Sequence, residues 1–538
     1  MTRWAMAADL RRCVGCQTCT ASCRHTNATM PGVQWRKVLD LESGTYPNVS
    51  RTFIPVGCQH CADPPCMHVC PSTATKQRPD GIVTIDYDLC IGCSYCAVAC
   101  PYQARFKVDK PLFAYGPGKR MANEAQREDP ARLGVAQKCT FCTERIDYGL
   151  SHGLTPGVDP TATPACVNSC IADALHFGDA DDPESPVSKL LARTRHFRMH
   201  EEVGTNPGFH YVWGAATDET PAGEALTDAE HAEPVDTFGE TGATRGVAPW
   251  HQEYWDARAA GNFTFGGTGS GLMIAAGIAA LFGTPMLVYG AAALALVGFG
   301  LFLVWLETGR PLRAPLNVFV NPQTSWMTRE SMVAGPLFLL GAAAAWFSEP
   351  ILMPFAIGFA AVFLYCQARL VNASRGIPAW RDPASVPLLV ITGLAEGAGL
   401  FLLMAPWAAP GLPAGIRAVA AVVLVALVVL RAWSWFTYRR NVAADAPAKA
   451  VEVLNGLHPW ILGLGTIVPA VAVAAVFAAP DFAVAAEAIA GVATVVSGWM
   501  FKFALILRAG YNQGFAIVRT PERGVIGSGG AGAKPGWS

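Results

Sequence analysis

The chain has 538 residues, a formal net charge of −1 at pH 7 and 52% hydrophobic residues. Its length predicts two or more domains, and its near-neutral charge gives no indication of nucleic-acid binding. The averages hide two different halves. Before about residue 215 the sequence is cysteine-rich and polar, and after about residue 268 it is dominated by Ala, Leu, Val, Gly and Phe. This division predicts a soluble domain joined to a polytopic membrane domain.

Sixteen of the 17 cysteines lie in the N-terminal half, in four groups of four. In chain order the groups are Cys13, Cys16, Cys19, Cys23; Cys58, Cys61, Cys66, Cys70; Cys90, Cys93, Cys96, Cys100; and Cys139, Cys142, Cys166, Cys170. The first and third groups read C-x2-C-x2-C-x3-C, a spacing in which three thiolates hold one [4Fe–4S] cube and the fourth ligates a second cube. Zinc sites favour paired C-x2-C units, and disulfide scaffolds need an oxidising compartment, so both alternatives fit less well.

The first and third groups resemble each other, which predicts a duplicated α+β ferredoxin-like unit over residues 1–215 with four [4Fe–4S] clusters. Strand-like runs separate the groups at 51–56 and 82–86. Residues 111–138 form a polar insertion, and residues 151–165 are rich in Gly, Pro and Thr, which predicts a loop.

The segment 216–260 is predicted to be a linker followed by an interfacial stretch. Residues 216–244 contain eight acidic side chains without one Lys or Arg, a composition typical of disorder in the free chain. Trp250, Tyr254 and Trp255 follow close to Arg258, and aromatic residues near a cation suit a membrane interface.

Eight apolar segments then predict an all-α polytopic bundle of about eight helices over residues 261–510, in a lipid bilayer. The segments are 269–283, 286–306, 331–348, 350–369, 386–406, 414–436, 459–479 and 483–507. Residues 511–538 are predicted to be a cytoplasmic tail. Cys366 lies alone in an apolar segment, where a thiol usually acts as a small core residue.

Basic residues are concentrated in alternate breaks between the apolar segments. On one side they are Arg258; Arg310, Arg313, Arg329; Arg369, Arg375, Arg381; Arg439, Arg440, Lys449; and Arg519, Arg523. The opposite breaks contain no Lys or Arg, although Arg417 lies just inside the sixth segment. The positive-inside rule therefore places both termini and the iron–sulfur domain in the cytoplasm, at the inner membrane.

Residues 1–215 resemble the four-cluster iron–sulfur subunit of the dimethyl sulfoxide reductase family of molybdenum and tungsten enzymes. The matching strings are CVGCQTCTASC, CQHCADPPCMHVCP, CIGCSYCAVACPYQAR and KCTFC…CVNSC. Residues 261–515 resemble the family's eight-helix membrane anchor through GRPLRAPLNVFVNPQTSWMTRES. In that family these are two separate subunits, so the resemblance implies a fusion.

The resemblance also implies how the cysteines are shared among the cubes. The ligand sets would be Cys13, Cys16, Cys19, Cys170; Cys23, Cys139, Cys142, Cys166; Cys58, Cys61, Cys66, Cys100; and Cys70, Cys90, Cys93, Cys96. The last set would lie nearest the membrane. Some relatives carry Trp in place of the second cysteine of the third group and hold a three-iron cluster there. This chain has Cys93, so four [4Fe–4S] centres are expected.

Beyond residue 260 the sequence has a single histidine, His458. Two bis-histidine haems would need four, so haem is not expected and membrane quinone is the natural electron carrier. A quinone site needs an apolar slot with hydrogen-bond donors and a proton route. Its candidate residues are Arg310, Arg313, Trp326, Arg329, Glu330 and His458, although headgroup contacts also explain juxtamembrane arginines. Glu396 and Lys502 lie at membrane depth and suggest either a proton path or a structural ion pair.

These features predict an electron-transfer and anchor subunit that performs no substrate chemistry beyond quinone redox. Its expected partner is a separate catalytic subunit with a Mo/W-bis-pterin cofactor. A cytoplasmic orientation favours a cytosolic substrate, such as sulfite or phenylacetyl-CoA. The alternatives are an anchor for a hydrogenase or formate dehydrogenase, or a proton-translocating redox membrane protein.

Overall fold

A computed structural model describes residues 2–45, 48–215, 246–522 and 531–537. Residues 216–245, which include the predicted acidic linker, lie outside the described part. The chain divides into two compact units, one of residues 1–250 and 512–538 and the other of residues 251–511. Each unit contains one of the two contrasting kinds of sequence.

The first unit mixes short strands with short helices. In chain order its elements are β1 Trp4–Asp9, α1 Thr18–Asn27, β2 Arg36–Thr45, β3 Asn48–Gly57, α2 Pro65–His68, β4 Thr75–Gln77, β5 Val83–Ile85, α3 Tyr95–Val98, β6 Phe106–Lys107, α4 Ala122–Arg127, β7 Ala136–Gln137, α5 Thr143–Ser151, α6 Ala165–Asn168, β8 Leu175–Asp179, α7 Pro186–Ala192, β9 Thr194–Phe197, β10 Phe209–Ala215, β11 Ile517–Arg519 and β12 Ala531–Ala533. The two strand-like runs of the sequence lie in β3 and β5. The loop predicted at 151–165 joins α5 to α6.

The central sheet of this unit has the strand order β8-β1-β10-β9. β1 pairs parallel to β10 and antiparallel to β8. Every residue of β1 is buried, because the strand is central and is covered on both faces. The remaining strands form two-stranded sheets, the longest being β2-β3, in which Arg36 lies opposite Gly57.

Described residues after 511 belong to this first unit. The Gln103 amide donates to Asn512 Oδ1 at 2.6 Å, and His200 Nε2 lies 3.0 Å from the carbonyl oxygen of Gly514. β11 and β12 pair antiparallel. The placement of the 511–538 segment in the cytoplasm stays a prediction.

The second unit is helical throughout its regular structure. Its elements are α8 Ala257–Ala280, α9 Leu287–Glu307, α10 Ala314–Asn317, α11 Trp326–Phe347, α12 Met353–Asn372, α13 Pro378–Arg381, α14 Ser385–Ala408, α15 Ala414–Asp445, α16 Ala448–Leu462, a π turn Gly463–Ile467, α17 Val468–Ala478 and α18 Ala483–Leu507. Within the described residues, eight helical segments are long and apolar enough to cross a membrane. This confirms the predicted number of apolar spans.

The first of these helices begins 12 residues before the apolar segment predicted at 269–283. Its N-terminal half is built largely from Ala, Gly, Asn and Thr, which are not strongly apolar, yet most of these residues are buried inside the bundle. Small residues let helices approach closely. Gly397 of α14 lies so close to Gly271 of α8 that a Cβ on it would overlap the Gly271 backbone. Burial by neighbouring helices, which composition does not reveal, explains the difference.

Candidate functional site

The four C-x-x-C loops of the first unit share one backbone feature. The residue before the second cysteine is left-handed in each, with φ of 70° at Gly15, 43° at His60, 70° at Gly92 and 54° at Phe141. Glycine adopts this conformation freely, whereas His and Phe do so at a cost. Successive backbone N–H groups in such a turn can point into one concavity and favour an anion there. The structure therefore repeats one anion-binding loop four times.

The cysteines gather into four sets, each combining three cysteines of one group with one of another. Set A is Cys13, Cys16, Cys19 and Cys170, which together line a cavity of about 20 Å³. Set B is Cys23, Cys139, Cys142 and Cys166; set C is Cys58, Cys61, Cys66 and Cys100; set D is Cys70, Cys90, Cys93 and Cys96. Within sets B, C and D, the thiolates are close enough to raise the pKa of a fellow member.

Asn27 illustrates this convergence. Its Nδ2 lies 3.6 Å from the Cys23 sulfur and 4.0 Å from the Cys142 sulfur. The two cysteines are far apart in sequence and come together because α1 packs beside the loop that precedes α5. One amide therefore contacts two thiols that belong to the first and fourth cysteine groups.

Burial raises the pKa of most of these thiols. It raises the pKa to about 12 at Cys96 and Cys100 and to about 11 at Cys139 and Cys166, with neighbouring thiolates contributing to each rise. A bound metal reverses this preference, because it deprotonates a coordinating thiol. Cys16 is exposed, and a hydrogen bond from Thr18 lowers the pKa of its thiol.

The chemistry of the donor sets fits iron–sulfur clusters. All 17 cysteines are free thiols, and thiolates are the usual ligands of such clusters. Among the described residues, no group of three or more His, Cys, Asp or Glu side chains is arranged to hold a single metal ion. Two arginines, Arg36 and Arg105, are buried beside the thiols and supply positive charge that a multiply anionic cluster would need.

Three further residues, which the sequence did not single out, connect sets B and C. His60 stacks on Phe141 with ring centroids 3.7 Å apart. His60 Nδ1 accepts a 3.1 Å hydrogen bond from the backbone N–H of Val83. Burial, together with the charges of Lys138, Arg36 and Arg105, lowers the pKa of His60 well below its ordinary value. Lys138 is itself buried and donates to the Cys139 carbonyl oxygen at 2.8 Å. No sequence period marks these positions.

In the helical unit, the structure brings several of the predicted quinone residues together at the start of α11. The Arg329 guanidinium lies 4.2 Å from the centre of the Trp326 ring, and that of Arg369 lies 4.8 Å from it. Arg329 Nε also donates to the Pro322 carbonyl oxygen at 2.9 Å. Tyr365 meets the edge of the same tryptophan. Arg310 and Arg313 lie in the preceding loop and are half-buried.

Glu330 is buried beside two amides that the sequence did not indicate. Asn262 Nδ2 donates to Glu330 Oε1 at 3.4 Å, and Gln367 Nε2 donates to the Asn262 carbonyl oxygen at 3.1 Å. His458 has different neighbours: its Nδ1 accepts a 3.1 Å hydrogen bond from Trp435, and its ring meets Phe436 edge-on.

Glu396 and Lys502 form an ion pair deep inside the bundle. Lys502 Nζ lies 2.6 Å from Glu396 Oε2, which also accepts a 2.7 Å hydrogen bond from Thr268. Arg431 is buried next to this group and donates to Ser497 Oγ at 3.1 Å and to the Gly465 carbonyl oxygen in the π turn. A second pair, Arg417 with Glu487, lies on α15 and α18.

Residues 49–113 match the family described as the 4Fe-4S dicluster domain. Over 226 residues the chain is 39% identical to an iron–sulfur-type subunit of the selenate reductase of Mesobacillus selenatarsenatis, covering 39% of this chain and 72% of that protein. It is 34% identical to the iron–sulfur subunit of an arsenate respiratory reductase of a Shewanella species, covering 39% and 96%. It is 33% identical to the iron–sulfur cluster-binding subunit of a menaquinone reductase of Nitratidesulfovibrio vulgaris, covering 39% and 88%.

These likenesses account for about two fifths of the chain, and the apolar helical region is consistent with a membrane anchor. The chain belongs to the family of iron–sulfur subunits of dimethyl sulfoxide, selenate, arsenate and tetrathionate reductases.

Proposed function

We propose that this chain relays electrons through four [4Fe–4S] clusters between a separate Mo/W-bis-pterin catalytic subunit and quinone in the membrane. The main support is the exchange of the fourth cysteines. Cys23 lies with cysteines of the fourth group, Cys170 with the first, Cys100 with the second and Cys70 with the third. Exchange of this kind is the hallmark of two-cluster ferredoxins. Sets A to D would each hold one cube.

The relay needs a terminal acceptor or donor in the membrane, and quinone is proposed because haem ligands are scarce. The amides of Asn262 and Gln367 beside Glu330 offer polar partners for a quinone carbonyl and a carboxyl that can exchange a proton. Trp326, Arg329 and Arg369 would form the entrance. The half-buried Arg310 and Arg313 and the more distant His458 contribute less directly. Quinol oxidation at such a site releases two electrons and two protons.

The catalytic partner is inferred from the relatives, several of which are named as subunits of reductases. The iron–sulfur subunit carries electrons, so the substrate reaction belongs to the partner. We place the iron–sulfur domain and both termini in the cytoplasm, from the distribution of basic residues. That orientation favours a cytosolic substrate, such as sulfite or a CoA thioester like phenylacetyl-CoA. A reporter that is active only in the cytoplasm should be active when fused after Ser538.

The proposal is tested by purifying the complex from its native membrane and identifying its largest subunit. A large pterin-containing subunit, together with cluster reduction by quinol, is the expected result. A nickel-containing subunit would instead indicate a hydrogenase. The control is the same membrane from cells that carry the substitutions Cys90→Ser, Cys93→Ser and Cys96→Ser, in which the subunits should co-purify without quinol-linked cluster reduction.

A second candidate function, redox-driven proton translocation, is favoured by one observation. α18 carries Glu487, Thr494, Ser497 and Lys502 in succession, all buried, and Glu396 and Arg431 contact this series from α14 and α15. Buried ionisable groups at membrane depth are expensive and usually functional. The series offers more proton-carrying groups than the sequence alone suggested. Acidification of the medium by proteoliposomes during quinone turnover would support this function.

A further inference from the structure

Arg36 is completely buried at the start of β2, with 0% of its surface exposed. Its Nη2 donates to the Met6 sulfur at 3.0 Å, and its guanidinium lies 4.9 Å from the centre of the Phe209 ring. Nε and Nη1 have no hydrogen-bond partner among the described residues. Gly57 makes room for the side chain, since a Cβ there would lie 3.3 Å from the Arg36 Cζ.

The anions that surround Arg36 are thiolates from two different sets. Burial alone lowers the pKa of this guanidinium, but Cys166, Cys139 and Cys23 of set B and Cys19 of set A outweigh it and raise the pKa. In return, the Arg36 charge acts against burial at Cys166 and lowers the pKa of that thiol, which favours the thiolate. The strongest influences on this buried cation thus come from sulfur rather than from a carboxylate.

Arg105 has the equivalent position in the other half of the cysteine array. Only 2% of its surface is exposed, and Nη1 donates to Thr75 Oγ1 at 3.0 Å. Burial lowers the pKa of this guanidinium, and the thiolates of Cys66, Cys96, Cys58 and Cys100 more than compensate. Three of these belong to set C, and Cys96 belongs to set D.

We propose that Arg36 and Arg105 are charge bridges, each lying between two neighbouring clusters and raising the reduction potentials of both. Arg36 acts on the clusters of sets A and B, and Arg105 acts on those of sets C and D. The inference rests on the proposed function, because it takes each set to hold one cube. It adds a positioning role for two residues that ligate no metal.

The physical reason is the charge that each cube gains. When one electron enters a cube, the cube and its four thiolates become more negative by one unit. A guanidinium stays protonated at any accessible pH. In a buried environment its attraction for that added charge is screened far less than in water. The same cation reduces the repulsion between two adjacent cubes when both are reduced, which helps electrons move along the array.

The test is a potentiometric titration followed by electron paramagnetic resonance on the full chain in detergent. Each signal is assigned by its loss in a Cys→Ser variant of one set. We expect Arg36→Gln to lower the midpoint potentials of sets A and B by at least a tenfold change in the reduced-to-oxidised ratio, which is about 59 mV for one electron. Sets C and D should be unshifted. Arg105→Gln should give the reverse pattern.

Two controls separate charge from structure. Arg36→Lys keeps the charge and should restore most of the shift, whereas Arg51→Gln removes an exposed arginine paired with Asp40 and should change nothing. Arg36→Met is a second neutral variant. If either neutral variant holds its iron and shifts no potential, or shifts all four alike, the proposal is wrong.

Loss of iron is also informative. If both neutral variants lose iron from sets A and B alone while Arg36→Lys retains it, the charge is needed at that pair, as proposed. Iron lost from all four sets would show a general folding role and overturn the proposal. Failure of the proposed function looks different, because the unmodified chain would then lack the four signals.

Discussion

His60 and Phe141 stack with ring centroids 3.7 Å apart, and each is the left-handed residue of its own C-x-x-C loop. The contact therefore joins the loop of the second cysteine group to that of the fourth. Phe177 meets the edge of Phe141 at 5.4 Å, which ties the pair to β8 of the central sheet. The stack fixes the distance between sets B and C, where the two halves of the array meet.

Removing one ring of this stack should destabilise the cluster domain. Phe141 is completely buried, and truncating such a residue to alanine costs about 3–5 kcal/mol. A domain of this size loses roughly 2–4 °C of its midpoint temperature per kcal/mol. We expect Phe141→Ala to bleach the cluster absorbance at a clearly lower temperature than the unmodified chain does. Val158→Ala, at an exposed position, is the matched control, and an equal effect of both substitutions would contradict this role.

Cys93 decides whether set D holds a complete cube. Replacing it with serine should remove one iron, or the whole cube of about four irons, while leaving the other three signals in place. Cys366→Ser is the control, because Cys366 lies buried in α12 away from the cysteine groups and should leave the iron content unchanged. Iron quantification checks both. An unaltered iron content in Cys93→Ser would exclude it as a ligand.

Glu330 is expected to support proton exchange with quinone. Positioned acid–base groups contribute about 10²–10⁴-fold to rates. Glu330→Gln should therefore slow quinol-driven cluster reduction by at least about 10²-fold, with little change in the quinol concentration at half-maximal rate. Trp326→Leu should mainly raise that concentration. Trp433→Leu, which removes an exposed tryptophan, is the control. Rates unchanged in Glu330→Gln would place the quinone elsewhere.

The Glu396–Lys502 pair separates a proton path from a structural ion pair. Glu396→Gln should slow quinone turnover while the cluster spectra stay intact, and unchanged turnover would retire the proton role. Breaking a buried pair costs about 3–5 kcal/mol, because one charge is left uncompensated. In a double-mutant cycle, Lys502→Met should rescue the stability of Glu396→Gln but not its turnover. Rescue of both would indicate a structural pair only.

His210 makes the stability of the cluster domain depend on pH. Burial, followed by the charge of neighbouring His196, lowers the pKa of His210 from 6.5 to about 3. The unfolded chain then binds a proton at a higher pH than the folded chain does. The stability associated with neutral His210 is present above pH 6.5 and is lost as the pH falls towards 3. His210→Phe should flatten this part of the midpoint-temperature profile; an unchanged slope would contradict the assignment.

The sequence predicted the two kinds of domain, the cysteine groups and the number of apolar spans, because each depends on local spacing or composition. It did not reveal Arg36, Arg105 or Lys138. A buried arginine reads as a surface residue until the strands that enclose it are known. Asn262 and Gln367 were missed for the same reason, since only helix packing brings them beside Glu330.

The start of α8 shows a further limit of composition. Its first residues include Asn262, Thr264 and Gly266, which an apolar window does not select, yet the helix continues through them. Packing against α12 and α14 buries these small residues. The resemblance of the first and third cysteine groups did indicate shared geometry, and the structure extends it to all four loops through His60 and Phe141.

The central claim is that the sixteen N-terminal cysteines hold four cubes. Iron and acid-labile sulfide analysis of the purified chain, with electron paramagnetic resonance after reduction, tests it most directly. The account expects about sixteen irons per chain, four for each cube, and low-temperature signals from interacting reduced clusters. Zinc in place of iron, or a reduced protein without a paramagnetic signal, would contradict it.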